Sequence, residues 1–193
     1  MAELDTPTRI LDIAERLVQT RGFNGFSYAD ISSELGVTKA SLHYHFAGKA
    51  ELGEAVIDRY AARFRERLAE IDAEVAAAPA KLEAYAQIYA SVLRDHRMCL
   101  CGMLAAEYET LPAPMRAAIV RFFDESETWL VRVLEEGRAD GTLRLPGPAE
   151  EEAHAIVDGL EGALLVARPL GDVDRFEATA ARLLARLSAG AAA

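Results

Sequence analysis

Gly36 limits the folding choices of this chain more than any other single residue. It lies between two short segments that each carry their own helix-start signal. Ser27 is followed three residues on by Asp30, a weak capping box, and Ile31 and Leu35 then share one face. Thr38 starts the second segment, whose apolar anchors Leu42 and Phe46 are four residues apart. Only two residues, Gly36 and Val37, are left for the reversal between them, and glycine takes the positive φ of so sharp a turn without penalty. Upstream, Thr6-Pro7 reads as N-cap and first helical position. Ile10, Ala14, Leu17 and Val18 follow at helical spacing, and Gly22 fits the stop. Phe23 and Phe26 flank Gly25 in a turn. Residues 6–47 therefore read as three short helices around a small aromatic core, the last two forming a helix-turn-helix.

The rest of the chain reads as longer helices. Hydrophobic residues make up 51% of the 193, enough for a core without disulfides or metal, and most are the helix formers Ala and Leu. Strand-like runs of Val, Ile and Thr are missing, so the expected class is all-α. A long helix is expected from Gly48-Lys49 to about Ala77, with Leu52, Val56, Tyr60, Phe64, Leu68 and Ile71 spaced by three or four. Pro79 opens the next, to roughly His96. Another covers about Leu100 to Thr110, and "LPAP" at 111–114 breaks it. A further helix runs from Met115 to about Arg138. "LPGP" at 145–148 is a loop, and "RPLGD" at 168–172 separates the last two helices. These carry the cleanest stripes: Ala153, Ile156, Val157, Leu160, Leu164 and Ala167, then Phe176, Ala180, Leu183, Leu184 and Leu187. Ala155, Gly159 and Ala163 add a small-residue ridge. Two adjacent amphipathic helices at the end of a chain suit a dimer interface, and Ile156, Leu160, Leu164, Phe176, Leu183 and Leu184 are its expected members. The tail "SAGAAA" is expected to fray.

Charge narrows the function. The net charge is −10, which argues against non-specific coating of nucleic acid. Residues 1–50 carry five Lys/Arg and six Asp/Glu, so nearly all the acidic excess lies beyond them. A local cationic face can exist in the opening segment. "MAELDTPT" has no apolar run and does not read as a signal peptide. The longest uncharged apolar stretch, Met98 to Ala106, is too short to span a membrane. Two cysteines one residue apart are not a disulfide framework. The expected location is the cytoplasm.

The stretch "ILDIAERLVQTRGFNGFSYADISSELGVTKASLHYHFAGKAEL", residues 10 to 52, resembles the tetracycline-repressor (TetR/AcrR) family of bacterial transcription regulators. It has that family's order of helix, Gly-Phe turn, capped second helix, Gly-Val-Thr turn and an aromatic-His-Phe ending before a lysine. Residues from about 53 onward match only as a string of helices. The resemblance implies a DNA-binding domain at 1–48 and an effector-binding and dimerisation domain at 49–193. It implies a homodimeric regulator, usually a repressor, on a palindromic double-stranded operator, with a small-molecule effector. It implies no cofactor, no enzymatic activity and no membrane partner. The family often has an aromatic residue where this chain has His43, so the base preference should differ.

In a helix-turn-helix the second helix enters the major groove. Lys39, Ala40 and His43 would face base edges: lysine donates to guanine, the alanine methyl meets thymine, and histidine donates or accepts. Ser27, Thr38, Tyr44 and Lys49 would hold phosphates, and His45 either contacts DNA or caps its helix. His43 and His45 are two residues apart and diverge on a helix, so they do not share a metal. Ser41 lacks a nucleophile elbow. Glu151 and His154 form half of a di-iron pattern without its partner half, so no metal is expected.

For the effector pocket the candidates are the middle aromatics and sulfurs: Tyr85, Tyr89, Cys99, Cys101, Met103, Tyr108, Phe123 and Trp129. Each aromatic alone reads better as core. Cys99 and Cys101 lie near an expected helix start with Arg97 close in sequence, a setting that favours thiolate. A thiol-reactive repressor is therefore the second functional class, against the plainer reading of two small buried residues. A helical-bundle carrier or enzyme without a DNA role is the third, and it would not need the opening motif.

Overall fold

The structure is a computed structural model and describes residues 5–189. The described residues form nine α-helices and a 3₁₀ turn, with no strand. The far end of the tail expected to fray, residues 190–193, lies outside them.

The chain divides into two compact units. The first takes the residues up to Arg63 together with Cys99–Phe122; the second takes Phe64–Met98 and the residues from Phe123 on. The first opens with α1 (Thr6–Arg21), α2 (Tyr28–Leu35) and α3 (Lys39–His45). Asp5 caps α1, not Thr6: its carboxylate accepts the Thr8 amide at 3.2 Å, and Thr6 is already helical. Ile10, Ala14, Leu17, Val18, Phe23, Phe26, Ile31 and Leu42 fill the core. Long helix α4 (Lys49–Glu74) starts in this unit and adds Leu52, Val56 and Ile57. Buried Glu15 of α1 is held by Arg59 at 3.0 Å and Arg63 at 2.5 Å, so a carboxylate on the inner side of α1 has two cations.

The expected helix over 100–110 is broken. Helix α6 (Leu100–Ala105) ends early and a 3₁₀ turn follows at Tyr108–Thr110. "LAAEYE" has good helix propensity, but Glu107 leaves the helical conformation at φ −106°. Its carboxylate is engaged far away in sequence, as described below.

The second unit is built on α5 (Ala78–Arg94), α8 (Ala149–Leu170) and α9 (Val173–Ala185), with the later part of α7 (Ala113–Ala139). Helix α5 stops at Arg94, short of His96, which takes a positive φ of 58°. Pro169 does not break α8. The helix runs through it and ends at Gly171, φ 61°, where the amides of Gly171 and Asp172 return to the carbonyls of Arg168 and Ala167.

The two stripes expected at a dimer interface lie inside this unit. Ile156, Leu160, Leu164, Phe176 and Leu184 are all buried within one chain, where α8, α9 and α5 pack on one another. Leu183 is half-buried and covers Gly159, where a Cβ would come within 2.7 Å of its Cδ2. The small-residue ridge thus admits the chain's own α9. What α8 turns outward instead is Leu165 (62% exposed), Val166 (46%) and Leu170 (58%).

Candidate nucleic-acid interface

The geometry of α2 and α3 is fixed by local bonds. The Asp30 carboxylate accepts both the Ser27 amide and the Ser27 hydroxyl at 2.7 Å, and these bonds hold its pKa below the usual carboxylate range. Gly36 takes the left-handed conformation (φ 71°, ψ 28°), and the Val37 amide returns to the Ser32 carbonyl at 3.1 Å. The Thr38 hydroxyl then accepts the Ser41 amide at 3.2 Å and starts α3. Leu42 is the buried anchor of α3.

The outer side of α3 presents Lys39, Ala40, His43 and Tyr44, all exposed. Tyr44 is 85% exposed, with its ring edge-on to the half-buried His45 at 5.1 Å. His43 is held from two sides. Its Nδ1 lies 3.0 Å from the Ala47 carbonyl, and its ring packs 4.8 Å from that of Tyr28. Tyr28 is itself anchored, its hydroxyl donating to the Phe46 carbonyl at 3.0 Å. The Ala47 amide donates to Glu51 of α4 at 2.9 Å. The end of α3 is thereby tied to the start of α4.

Two expected phosphate contacts are used elsewhere. The Ser27 hydroxyl proton is committed to Asp30, so that oxygen has no proton to give a phosphate. The Lys49 ammonium points inward, not out. It donates to the carbonyls of Phe23 and Phe26 and lies 4.6 and 4.3 Å from the centroids of those two rings. Burial lowers its pKa, while Glu107 and Asp30 pull the other way. Lys49 is the clamp of the α1–α2 turn.

Sequence reasoning missed Glu107. Its carboxylate accepts the amides of Phe23 at 2.5 Å and Asn24 at 3.2 Å. Gly22 makes room for it: at φ 81° a Cβ there would meet Glu107 Oε1 at 2.8 Å. Asn24 adds a bond to the Thr110 hydroxyl at 2.8 Å. The α1–α2 turn therefore has an ammonium on its carbonyls and a carboxylate on its amides. No local pattern links residues more than 80 positions apart, so no sequence signal marks Glu107.

The eight expected pocket residues fall into separate sets. In the first unit Cys99 and Cys101 are buried, and the Tyr60 hydroxyl lies 3.8 Å from Cys99 Sγ. Met103 is half-buried, and Tyr108 sits on the exposed 3₁₀ turn, its ring 5.7 Å from the Arg116 guanidinium. In the second unit Tyr85, Tyr89 and Trp129 form a buried cluster. The Tyr85 hydroxyl bonds Tyr89 at 3.1 Å and Ser126 at 2.6 Å, and the Trp129 ring stacks on Tyr85 at 5.7 Å. Phe123 is half-buried. An open groove of about 580 Å³ between α5 and α9 is lined by none of the eight; Leu82, Ala86, Phe176, Ala180 and Leu184 line it. Exposed His154 faces Glu127 at 3.5 Å.

Comparison with known proteins decides the class. Residues 10–56 match the bacterial regulatory proteins of the tetR family, and residues 78–183 match the tetracyclin repressor-like C-terminal domain. The chain belongs to the TetR family. A TetR-family regulator from Agrobacterium tumefaciens is similar in structure, with a TM-score of 0.91 and 33% identity over 94% of this chain and 97% of that one. The regulator LmrA of Bacillus subtilis is 30% identical over 84% of this chain and 86% of its own length. The reduced form of Escherichia coli NemR has a TM-score of 0.84 and 26% identity, over 97% of this chain and 100% of that one. This TetR-family protein is a DNA-binding transcriptional regulator with an N-terminal helix-turn-helix and a C-terminal helical domain. No helix among the described residues is long and apolar enough to cross a membrane.

Proposed function

We propose that this regulator is a homodimeric repressor, without enzymatic activity, that a small-molecule effector releases from a palindromic operator in the cytoplasm. The observation that carries the DNA part is the exposed row Lys39, Ala40, His43 and Tyr44 on a helix capped at Thr38 and tied at Ala47. Lys39, Ala40 and His43 meet bases; Thr38, Tyr44 and His45 meet the backbone. Residues 1–48 supply the DNA contacts, and residues 49–193 the effector site and the dimer contact. The dimer forms through the outward face of α8 around Leu165, Val166 and Leu170, a side of α8 its own chain leaves uncovered. Effector and DNA oppose each other through linkage: the effector binds better to the conformation in which the two recognition helices are wrongly spaced. A gel shift on the chain's own upstream DNA, repeated with a small-molecule panel, tests this. A retarded band that one compound abolishes supports the reading; the absence of any specific shift removes it.

One contact favours a second reading, a thiol-sensing repressor. The Tyr60 hydroxyl lies 3.8 Å from Cys99 Sγ and can donate to that sulfur. Cys99 is only 1% exposed, so access would require α6 to open. Mild oxidant should then release wild-type protein and leave Cys99→Ser bound. Equal responses of wild type and the Cys99→Ser/Cys101→Ser variant assign both cysteines to packing.

A further inference from the structure

We propose that His43 reads its base pair as a hydrogen-bond acceptor, through Nε2, and so selects for an exocyclic amine, adenine N6 or cytosine N4. The inference rests on α3 lying in the major groove and goes beyond it by fixing the sense of one contact.

The argument begins at the ring's other nitrogen. His43 Nδ1 lies 3.0 Å from the Ala47 carbonyl oxygen. A carbonyl has no proton to give, so Nδ1 carries the hydrogen and donates it. In a neutral imidazole the second nitrogen then has a lone pair and no proton. The amide of the same residue, in the preceding peptide, is bound to Glu51 at 2.9 Å, which ties Ala47 to the start of α4. The Tyr28 ring, 4.8 Å away and anchored on the Phe46 carbonyl, packs against the imidazole. The tautomer is therefore set by the backbone of the α3–α4 turn. Nε2 belongs to an exposed side chain and is the ring nitrogen left for DNA.

In the major groove the acceptor positions are guanine N7 and O6, adenine N7 and thymine O4; the donors are adenine N6 and cytosine N4. A lone pair on Nε2 is matched by an amine and repelled by an acceptor. Lys39, four residues earlier on the same face, can only donate. The two side chains thus read opposite chemistry, Lys39 a guanine edge and His43 an amine. A tyrosine or another lysine at position 43 would not impose that pattern.

The test uses full-length protein and duplexes selected by it from a randomised pool, in mildly alkaline buffer where imidazole is neutral. His43→Ala first identifies the pair whose preference it relaxes; the side chain is exposed, so the variant keeps its fold. Three duplexes are then compared at that pair: the selected one, one lacking the amine (2-pyrimidinone for cytosine, or purine for adenine), and one carrying a 7-deazapurine. Deleting the amine should weaken wild-type binding about fivefold, the effect of one hydrogen bond, and should leave His43→Ala unchanged. The 7-deaza duplex should bind both proteins as the selected one does. If 7-deaza substitution weakens wild type and amine deletion does not, Nε2 is donating and the proposal is overturned while α3 remains the reading helix. If His43→Ala relaxes no position, this inference fails while Lys39 and Ala40 can still read the groove; if no duplex is selected at all, the placement of α3 in the groove fails with it.

Discussion

Residues 27–49 and residues 149–185 both carry regular sequence patterns, yet the patterns mean different things. In the first segment the signals are caps and turns, which close over three or four residues. Asp30 caps Ser27, Thr38 caps α3 and Gly36 turns the chain, and each partner lies within the segment. In the second segment the signal is an apolar stripe. A stripe states that a face is buried but not by what. Leu160 and Leu164 are covered by their own chain, and the large apolar residues that α8 leaves exposed are off the stripe, Leu165, Val166 and Leu170. Local grammar names its partner; periodicity does not.

The largest expected effect breaks this contrast directly. Leu160→Glu puts a carboxylate into a fully buried site and should cost about 3–5 kcal/mol, seen as a large fall in melting temperature. Val166→Glu should keep the melting temperature of the folded protomer and shift the dimer to monomer in sedimentation. If Leu160→Glu were a folded monomer and Val166→Glu an unchanged dimer, the stripe would be the interface and the assignment given above would be reversed.

Lys49→Ala gives the next largest effect. It removes two charge-assisted bonds to carbonyls and should destabilise the first unit by about 2–3 kcal/mol in denaturant unfolding. A phosphate-bound lysine would behave otherwise: its loss would lower the slope of log K against log salt by about 0.9. The inward clamp predicts lower stability with that slope unchanged.

The smallest effect is in acid. Ser27 holds the Asp30 carboxyl below its ordinary pKa. A group with a lowered folded-state pKa adds stability above its unfolded value, and that stability is lost as pH falls through the folded value. Wild-type protein should therefore lose helix α2 protection below the ordinary carboxylate range. Asp30→Asn should lose part of that protection already at neutral pH and titrate less. Amide hydrogen exchange at residues 28–31 measures it, and identical acid profiles for the two proteins would remove Asp30 as the cap.

These cases show what was legible. Helix type, the Gly36 turn and the Ser27 and Thr38 caps follow from residue spacing, because their physics is local. Lys49 was misread because its acceptors are backbone carbonyls, which have no sequence signature. Glu107 was missed for the same reason from the other side: it binds amides more than 80 residues away, and its departure from helical geometry ends α6 early. Pro169 reads as a breaker, yet it lies in the last turn of α8, which Gly171 terminates. The exposed Lys39–Tyr44 row was legible because a capped short helix leaves only one side for its polar residues.

The most direct test of the central claim, that the outer face of α3 reads DNA, is a titration of the upstream duplex with wild type and with the double variant Lys39→Ala/His43→Ala. Both substituted side chains are exposed, so the variant should stay folded with its dimer mass unchanged, and loss of the His43–Ala47 bond should lower the melting temperature only slightly. The account predicts that the variant loses about tenfold or more in affinity for the specific duplex, the scale of one good base contact, and binds an unrelated duplex as wild type does. Equal affinity of the two proteins for the specific duplex would contradict it.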